Sequence, residues 1–229
     1  MKPATISIIM PVLNEAENLR STLEQLHLSV NEELIIVDGG SSDDTLAVAA
    51  EFTDRAYRTK TGRASVMNFG AEKAGGDILL FLHADCVLTE NAFEIIRNTL
   101  NDKNIAAGGF RLRINSPGLH FRVIEAAANL RSRIAGLLYG DQGIFMQKET
   151  FIKIGRYANI PLMEDIEICG RLKKLGRLIL ADTPIMASPR RWLEEGTLHT
   201  TFRDWSIAFS YSFLKTPPEK LIKHYRDVR

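Results

Sequence analysis

The sequence predicts an α/β fold in which a mainly parallel central sheet is flanked by helices. Three observations predict it. Short apolar runs alternate with segments of helical periodicity through the first half of the chain. Each run ends on a polar or glycine-rich turn, as successive β-α units do. The 229 residues, 45% hydrophobic and 25% charged, suit one soluble domain with a sizeable core.

In chain order, "TISIIMPVL" is the first strand, and Asn14 is placed to cap a helix carrying Leu19, Leu23 and Leu26 on one face. "ELIIVDGGSSDDT" repeats the scheme, with Leu46, Ala49 and Ala50 on the second helix. A short strand near Ala56, a helix from about Arg63 to Lys73 and the strand "DILLFLHA" follow. The second half is less regular. "AAGGFRLRI" reads as a strand, "LHFRVIEAAANLRSRIAGLL" as a long helix, "PLMEDIEICGRLKKLG" as a capped helix ending at Gly176, and "RLILAD" as a strand. No repeat, low-complexity segment or linker interrupts the chain, so residues 1–229 are expected to form one domain with a helical tail over about 198–229. In that tail Phe202, Trp205, Phe209 and Phe213 recur at spacings of three and four. Such a stripe predicts packing on the domain or on a second subunit in a homodimer; the alternative is a helix on a membrane surface presenting a lipid acceptor.

Composition excludes several classes. A formal net charge of +1 gives no footprint for nucleic acid. Cys86 and Cys169 lie far apart, without metal or redox spacing, which fits a reducing, cytoplasmic compartment. The apolar run near the N-terminus is too short for a secretory or membrane-spanning segment, and no run of eighteen apolar residues follows, leaving peripheral membrane contact open.

Three strand or helix ends carry carboxylates. Asp38 closes "IIVD", where it can accept bonds from a ribose or base or serve as a turn aspartate bonding its own backbone. The following "GGSSDD" lacks dinucleotide and P-loop spacing. His83 and Asp85 end the strand "LLFLHAD"; on an extended chain they point to one side and can share a divalent cation, or Asp85 can cap the next helix. In "PLMEDIEICGRL", Asp165 shares a face with Ile168, Cys169 and Leu172, so it points inward as a general base would, with Glu164 about 100° around the helix; the alternative is a first-turn carboxylate that only complements the helix dipole. Arg63 at a helix start can meet a phosphate. "LYGDQGIF" sets Asp141 and Gln142 between glycines, and "SPRRW" sets Arg190, Arg191 and Trp192 after a proline-bounded strand.

Taken in order, these motifs resemble glycosyltransferase family 2, whose fold is GT-A, from "SIIMPVLNEAENL" to "RRW". The resemblance implies transfer of a sugar, with inversion, from a nucleoside-diphosphate sugar of UDP or GDP type to an acceptor hydroxyl. It implies that Pro11, Asn14, Glu15 and Asp38 hold the nucleoside, that "HAD" holds Mn²⁺ or Mg²⁺ and the diphosphate through Asp85 and His83, and that Glu164–Asp165 supplies the base. Arg63 and Arg191 then meet the diphosphate, with Asp141, Gln142 and Trp192 on the acceptor side. "GRASVMNFGAEKAGGDILLFLHAD", "YGDQGIF", "PLMEDIEI" and "SPRRW" are similar to a short bacterial subgroup labelled arsenosugar-biosynthesis or radical-SAM-associated transferases, labels resting on genomic company. Three departures stand out: His83 replaces the first aspartate of D-x-D, Gly39 a second aspartate, and Ser188 the glutamine of Q-x-x-R-W. The alternatives are a nucleotidyltransferase, which needs a glycine-rich basic loop where this chain has "PVLNEAENL", and a nucleotide-sugar-binding protein without turnover.

Overall fold

The structure, a computed structural model, describes residues 3–60 and 62–225. The elements run β1 (Ile6–Val12), α1 (Ala16–Leu23), β2 (Glu32–Asp38), α2 (Thr45–Phe52), β3 (Ala56–Arg58), α3 (Arg63–Lys73) and β4 (Ile78–Phe81). There follow β5 (Cys86–Leu88), α4 (Ala92–Leu100), β6 (Ile105–Ile114), α5 (Leu119–Ala135), a 3₁₀ turn over Gly140–Gln142, and β7 (Ile144–Gln147). The rest is α6 (Lys148–Lys153), α7 (Glu164–Leu172), β8 (Arg177–Ala187), α8 (Arg190–Glu195), α9 (Thr197–Ser212), α10 (Pro218–Leu221) and a final 3₁₀ turn.

One sheet has the order β3-β2-β1-β4-β7-β6-β8-β5. The first four strands pair in parallel, as the β-α alternation predicts. Beyond β4 the sheet is mixed: β7 runs antiparallel to β4 and β6, β8 parallel to β6, and β5 antiparallel to β8. The continuous apolar strands follow from burial on both faces. Ile8, Met10 and Leu80 enter one core layer while Ile9, Leu79 and Phe81 enter the other, the period-2 alternation of a covered strand. Because β1, β2, β3 and β4 are parallel, their carboxyl ends share one edge, where open α/β sheets bind ligands.

Four local expectations change. Asn14 does not cap α1: it is left-handed at φ 51°, Glu15 holds the cap position, and Asn14 Oδ1 instead accepts bonds from Ser42 N and Oγ at 2.8 and 3.2 Å. Helix α7 has no side-chain cap; Met163 precedes it at φ 69°, a strained conformation for a residue with a Cβ. His83 and Asp85 lie in a turn closed by Cys86 N–H to His83 O, not on an extended strand. The aromatic stripe of α9 does not pack on the domain, since Phe202 is 76% and Phe213 72% exposed, with Trp205 and Phe209 also outside. The last four residues of the expected tail lie outside the described residues.

Candidate active site

Two adjoining sites form at the carboxyl edge. The first gathers the ends of β1, β2 and β3. Asp38 is fully buried, and its Oδ1 accepts from Gly40 N, Ser41 N and Ser41 Oγ at 3.2, 2.8 and 2.5 Å. That is its turn role, yet among the described residues Oδ2 has no hydrogen bond and pairs with the Arg58 guanidinium at 3.4 Å. A buried carboxylate oxygen held by an ion pair but no hydrogen bond keeps acceptor capacity for a ligand. Arg58 also donates to Ser41 O at 2.7 Å. Sequence reading missed Arg58, although its place at the end of a parallel strand neighbouring Asp38 was a usable signal. Asn14 ties the β1–α1 turn to this loop, its amide donating to Ser41 Oγ at 2.8 Å. Pro11 is a buried residue of β1, opposite Val37.

The second site is a cavity of about 140 Å³ whose walls include Glu15, Arg63, His83, Asp85, Asp141, Asp165, Arg191 and Trp192, eight of the residues expected from the sequence. Tyr139, Arg190, Asp204 and Tyr225 also line it. Glu15 joins the two sites: both its oxygens accept from Arg190 Nη2, at 2.9 and 3.0 Å.

Asp165 faces the cavity, and Ile168, Cys169 and Leu172 beneath it are fully buried, as its helical row predicts. Its Oδ2 accepts from Gly140 N at 3.1 Å and its Oδ1 from Ile166 N at 2.8 Å. Burial and the neighbouring Glu164 charge raise its pKa to about 7, against the opposing pull of Arg63 and of those two amides. Glu164 is the deeper carboxylate, buried and 3.4 Å from Arg63 Nη1. The "ED" pair therefore divides: Glu164 holds Arg63 at the wall, and Asp165 meets the space.

His83 packs edge-on to Gly140, where a Cβ would come within 2.6 Å of Nε2. The turn that contacts His83 also carries Asp141, whose pKa burial raises while Arg131 and Arg191 oppose. Gln142 corrects the sequence reading. It is fully buried rather than on the acceptor side, and its Oε1 accepts from Ser132 Oγ and Tyr139 N, both at 3.0 Å, so it braces the turn. Arg191 pairs with Asp204 at 2.5 Å and donates to the Tyr225 hydroxyl at 2.6 Å, both groups supplied by the tail. Trp192 is buried against Phe121, with ring centroids 6.1 Å apart. Among the described residues no three His, Cys, Asp or Glu side chains gather as a metal set. Asp85 and His83 are two donors on one cavity wall.

Residues 7–158 match the family model described as Glycosyl transferase family 2, well over half of the chain. The chain belongs to this family. An uncharacterized glycosyltransferase of Haemophilus influenzae is 33% identical over 176 residues, covering 70% of this chain and 68% of that one. The poly-beta-1,6-N-acetyl-D-glucosamine synthase of Staphylococcus aureus is 26% identical over 190 residues, 75% of this chain and 46% of the synthase. Among solved structures, the mannosyltransferase PcManGT of Pyrobaculum calidifontis, in complex with GDP-Man and Mn²⁺, superposes with a TM-score of 0.64 at 18% identity, over 81% of this chain and 57% of that one. The chain thus spans about half the length of the synthase and of the mannosyltransferase. The family 2 chain has the GT-A fold, its mixed sheet flanked by helices. Among the described residues no helix is long and apolar enough to cross a membrane.

Proposed function

We propose that this chain is an inverting glycosyltransferase moving a sugar from a nucleoside diphosphate of UDP or GDP type to an acceptor hydroxyl. The observation that carries the reading is Asp165: a cavity-facing carboxylate whose pKa is raised to about 7, poised to take a proton near neutrality. In the proposed reaction Asp165 accepts the acceptor's O–H proton as that oxygen bonds the anomeric carbon. The bond from that carbon to the diphosphate oxygen breaks on the opposite face, so configuration inverts.

Asp38, whose Oδ2 has an ion pair with Arg58 but no hydrogen bond, and the Asn14-tethered loop support a nucleoside site over the first three strands. Arg63 and Arg191 stand in the cavity wall as cations for the departing diphosphate. Asp85 and His83 fit a divalent cation in part: they are one hard oxygen and one imidazole donor, leaving further positions to the diphosphate and water. Such a cation, Mn²⁺ or Mg²⁺, would supply charge neutralisation at the diphosphate. The mannosyltransferase neighbour, with GDP-Man and Mn²⁺ bound, is consistent with that assignment. Asp141 and Trp192 remain acceptor-side residues in this reading, and the closer motif likeness to the arsenosugar-labelled subgroup assigns no acceptor.

The test is a thermal-shift panel of UDP-, GDP- and dTDP-sugars with Mn²⁺, followed by donor hydrolysis. A donor at 100 times its dissociation constant adds about 2.7 kcal/mol of stability. Binding with slow hydrolysis that Asp165→Asn abolishes supports the transferase; binding without any turnover makes the chain a nucleotide-sugar-binding protein, and no binding at all defeats the reading.

A further inference from the structure

Two helices of this chain are apolar on the wrong side. On α9, Thr200 and Ile207 are buried, and Leu198, Phe202, Trp205, Phe209 and Phe213 are exposed. At 100° per residue those five side chains cluster within about 80° of arc, directly opposite the buried pair. Helix α5 repeats the pattern. Phe121, Glu125, Ala128 and Ser132 face the protein, while Leu119, Val123, Leu130 and Ile134 lie roughly 180° away, between 58% and 82% exposed. Among the described residues both outer stripes stay exposed. Helix α5 meets the segment just before α9, because Phe121 of α5 and Trp192 of α8 pack edge to face.

Apolar helix faces left exposed on a folded chain mark an interaction surface. Charge decides between its occupants. Leaving out Arg190, Arg191 and Asp204, which line the cavity, residues 119–135 and 190–225 hold seven lysines and arginines against four acids, a net +3. The whole chain carries only +1, so everything else is net −2. Lys215, Lys220 and Lys223, all exposed, follow the aromatic stripe directly. A second copy docking through the same face would set like charge against like charge. An anionic bilayer matches both parts: aromatic and aliphatic side chains enter the acyl boundary while lysines meet lipid phosphates.

We infer that the outer faces of α5 and α9 together form a docking surface for an anionic membrane. The inference is independent of the reaction proposed above. The inner side of α9 carries Asp204 and Ile207 in the cavity wall, so docking would set the cavity one helix thickness from lipid.

Flotation of the full chain with phosphatidylcholine vesicles, with and without 30% (roughly the anionic content of a cytoplasmic leaflet) phosphatidylserine, tests it. The expected result is co-flotation with the anionic vesicles only, weakened at least tenfold by high salt. Phe202→Ser with Phe209→Ser on α9, and separately Val123→Ser with Ile134→Ser on α5, should each reduce binding at least tenfold. All four positions are exposed, so circular dichroism and melting temperature should not change. No flotation on anionic vesicles overturns the inference, as does flotation insensitive to either pair of substitutions. A stable dimer in sedimentation that the same substitutions dissociate would overturn it in favour of a second copy. Donor thermal shift unchanged in these variants would keep this outcome separate from the proposed reaction.

Discussion

The backbone amide of Gly140 donates to Oδ2 of Asp165 at 3.1 Å. On its other side the same glycine abuts the His83 ring. One residue without a side chain thus separates the proposed base from the proposed diphosphate wall. In Gly140→Ala the added Cβ would lie 2.6 Å from Nε2 and 2.7 Å from Cε1 of His83, so the ring must turn away. Donor affinity measured by calorimetry with Mn²⁺ should fall as it does in His83→Ala. The double variant should be no weaker than His83→Ala alone, the non-additivity expected of two residues in contact. Full additivity would mean the glycine acts elsewhere.

Asp165→Asn should leave donor binding nearly intact and lower transfer by about 10²–10⁴-fold, the usual worth of a general base. Turnover within threefold of wild type would remove Asp165 from the mechanism.

The pH profile follows from the same carboxylate. A base works only when deprotonated, and Asp165 is raised to about 7. Below that pH, kcat/KM should fall about tenfold per unit, the slope of a single titrating base. Glu164 is part of what raises Asp165, so Glu164→Gln should move this acidic limb to lower pH. Initial rates from pH 5 to 9 for both proteins check the direction, and an upward shift would contradict it.

Asp85→Ala should abolish metal-dependent donor binding, because the diphosphate loses its main counter-charge. His83→Ala should weaken that binding without eliminating it. His83→Asp supplies a harder oxygen ligand and should improve Mg²⁺ relative to Mn²⁺. Calorimetry with each ion and with chelator decides: equal donor binding in chelator makes His83 a direct phosphate donor instead.

Asp38→Asn keeps the shape of the buried turn but replaces an acceptor. If Oδ2 completes the nucleoside, donor affinity should fall about 10–100-fold, the worth of a hydrogen bond to a charged group. Unchanged affinity in an intact fold would confine Asp38 to its turn.

Strands β1, β2 and β4 were legible because each is an apolar run ended by a turn and buried on both faces. The mixed half was not. Strands β5 and β7 have three and four residues, too short for a period, and their antiparallel partners are far away in sequence. Eight cavity residues were legible as types at strand and helix ends, since chemistry there needs particular side chains. Gln142 misled because a polar residue between glycines reads as exposed, whereas its amide fills a buried gap beside Ser132. Asp204 and Tyr225 carried no motif; only three-dimensional folding brings the tail back to Arg191.

Asp204 presents to Arg191 the same kind of group that a diphosphate would, an anionic oxygen at 2.5 Å. The tail is an internal mimic of the ligand. In the proposed cycle, a phosphate that approaches Arg191 competes with this resident carboxylate and the Tyr225 hydroxyl beside it. Donor affinity then equals the intrinsic affinity multiplied by the fraction of molecules whose latch is open. The same exchange run backwards expels the product, since the carboxylate re-closes on the guanidinium as the spent nucleotide leaves.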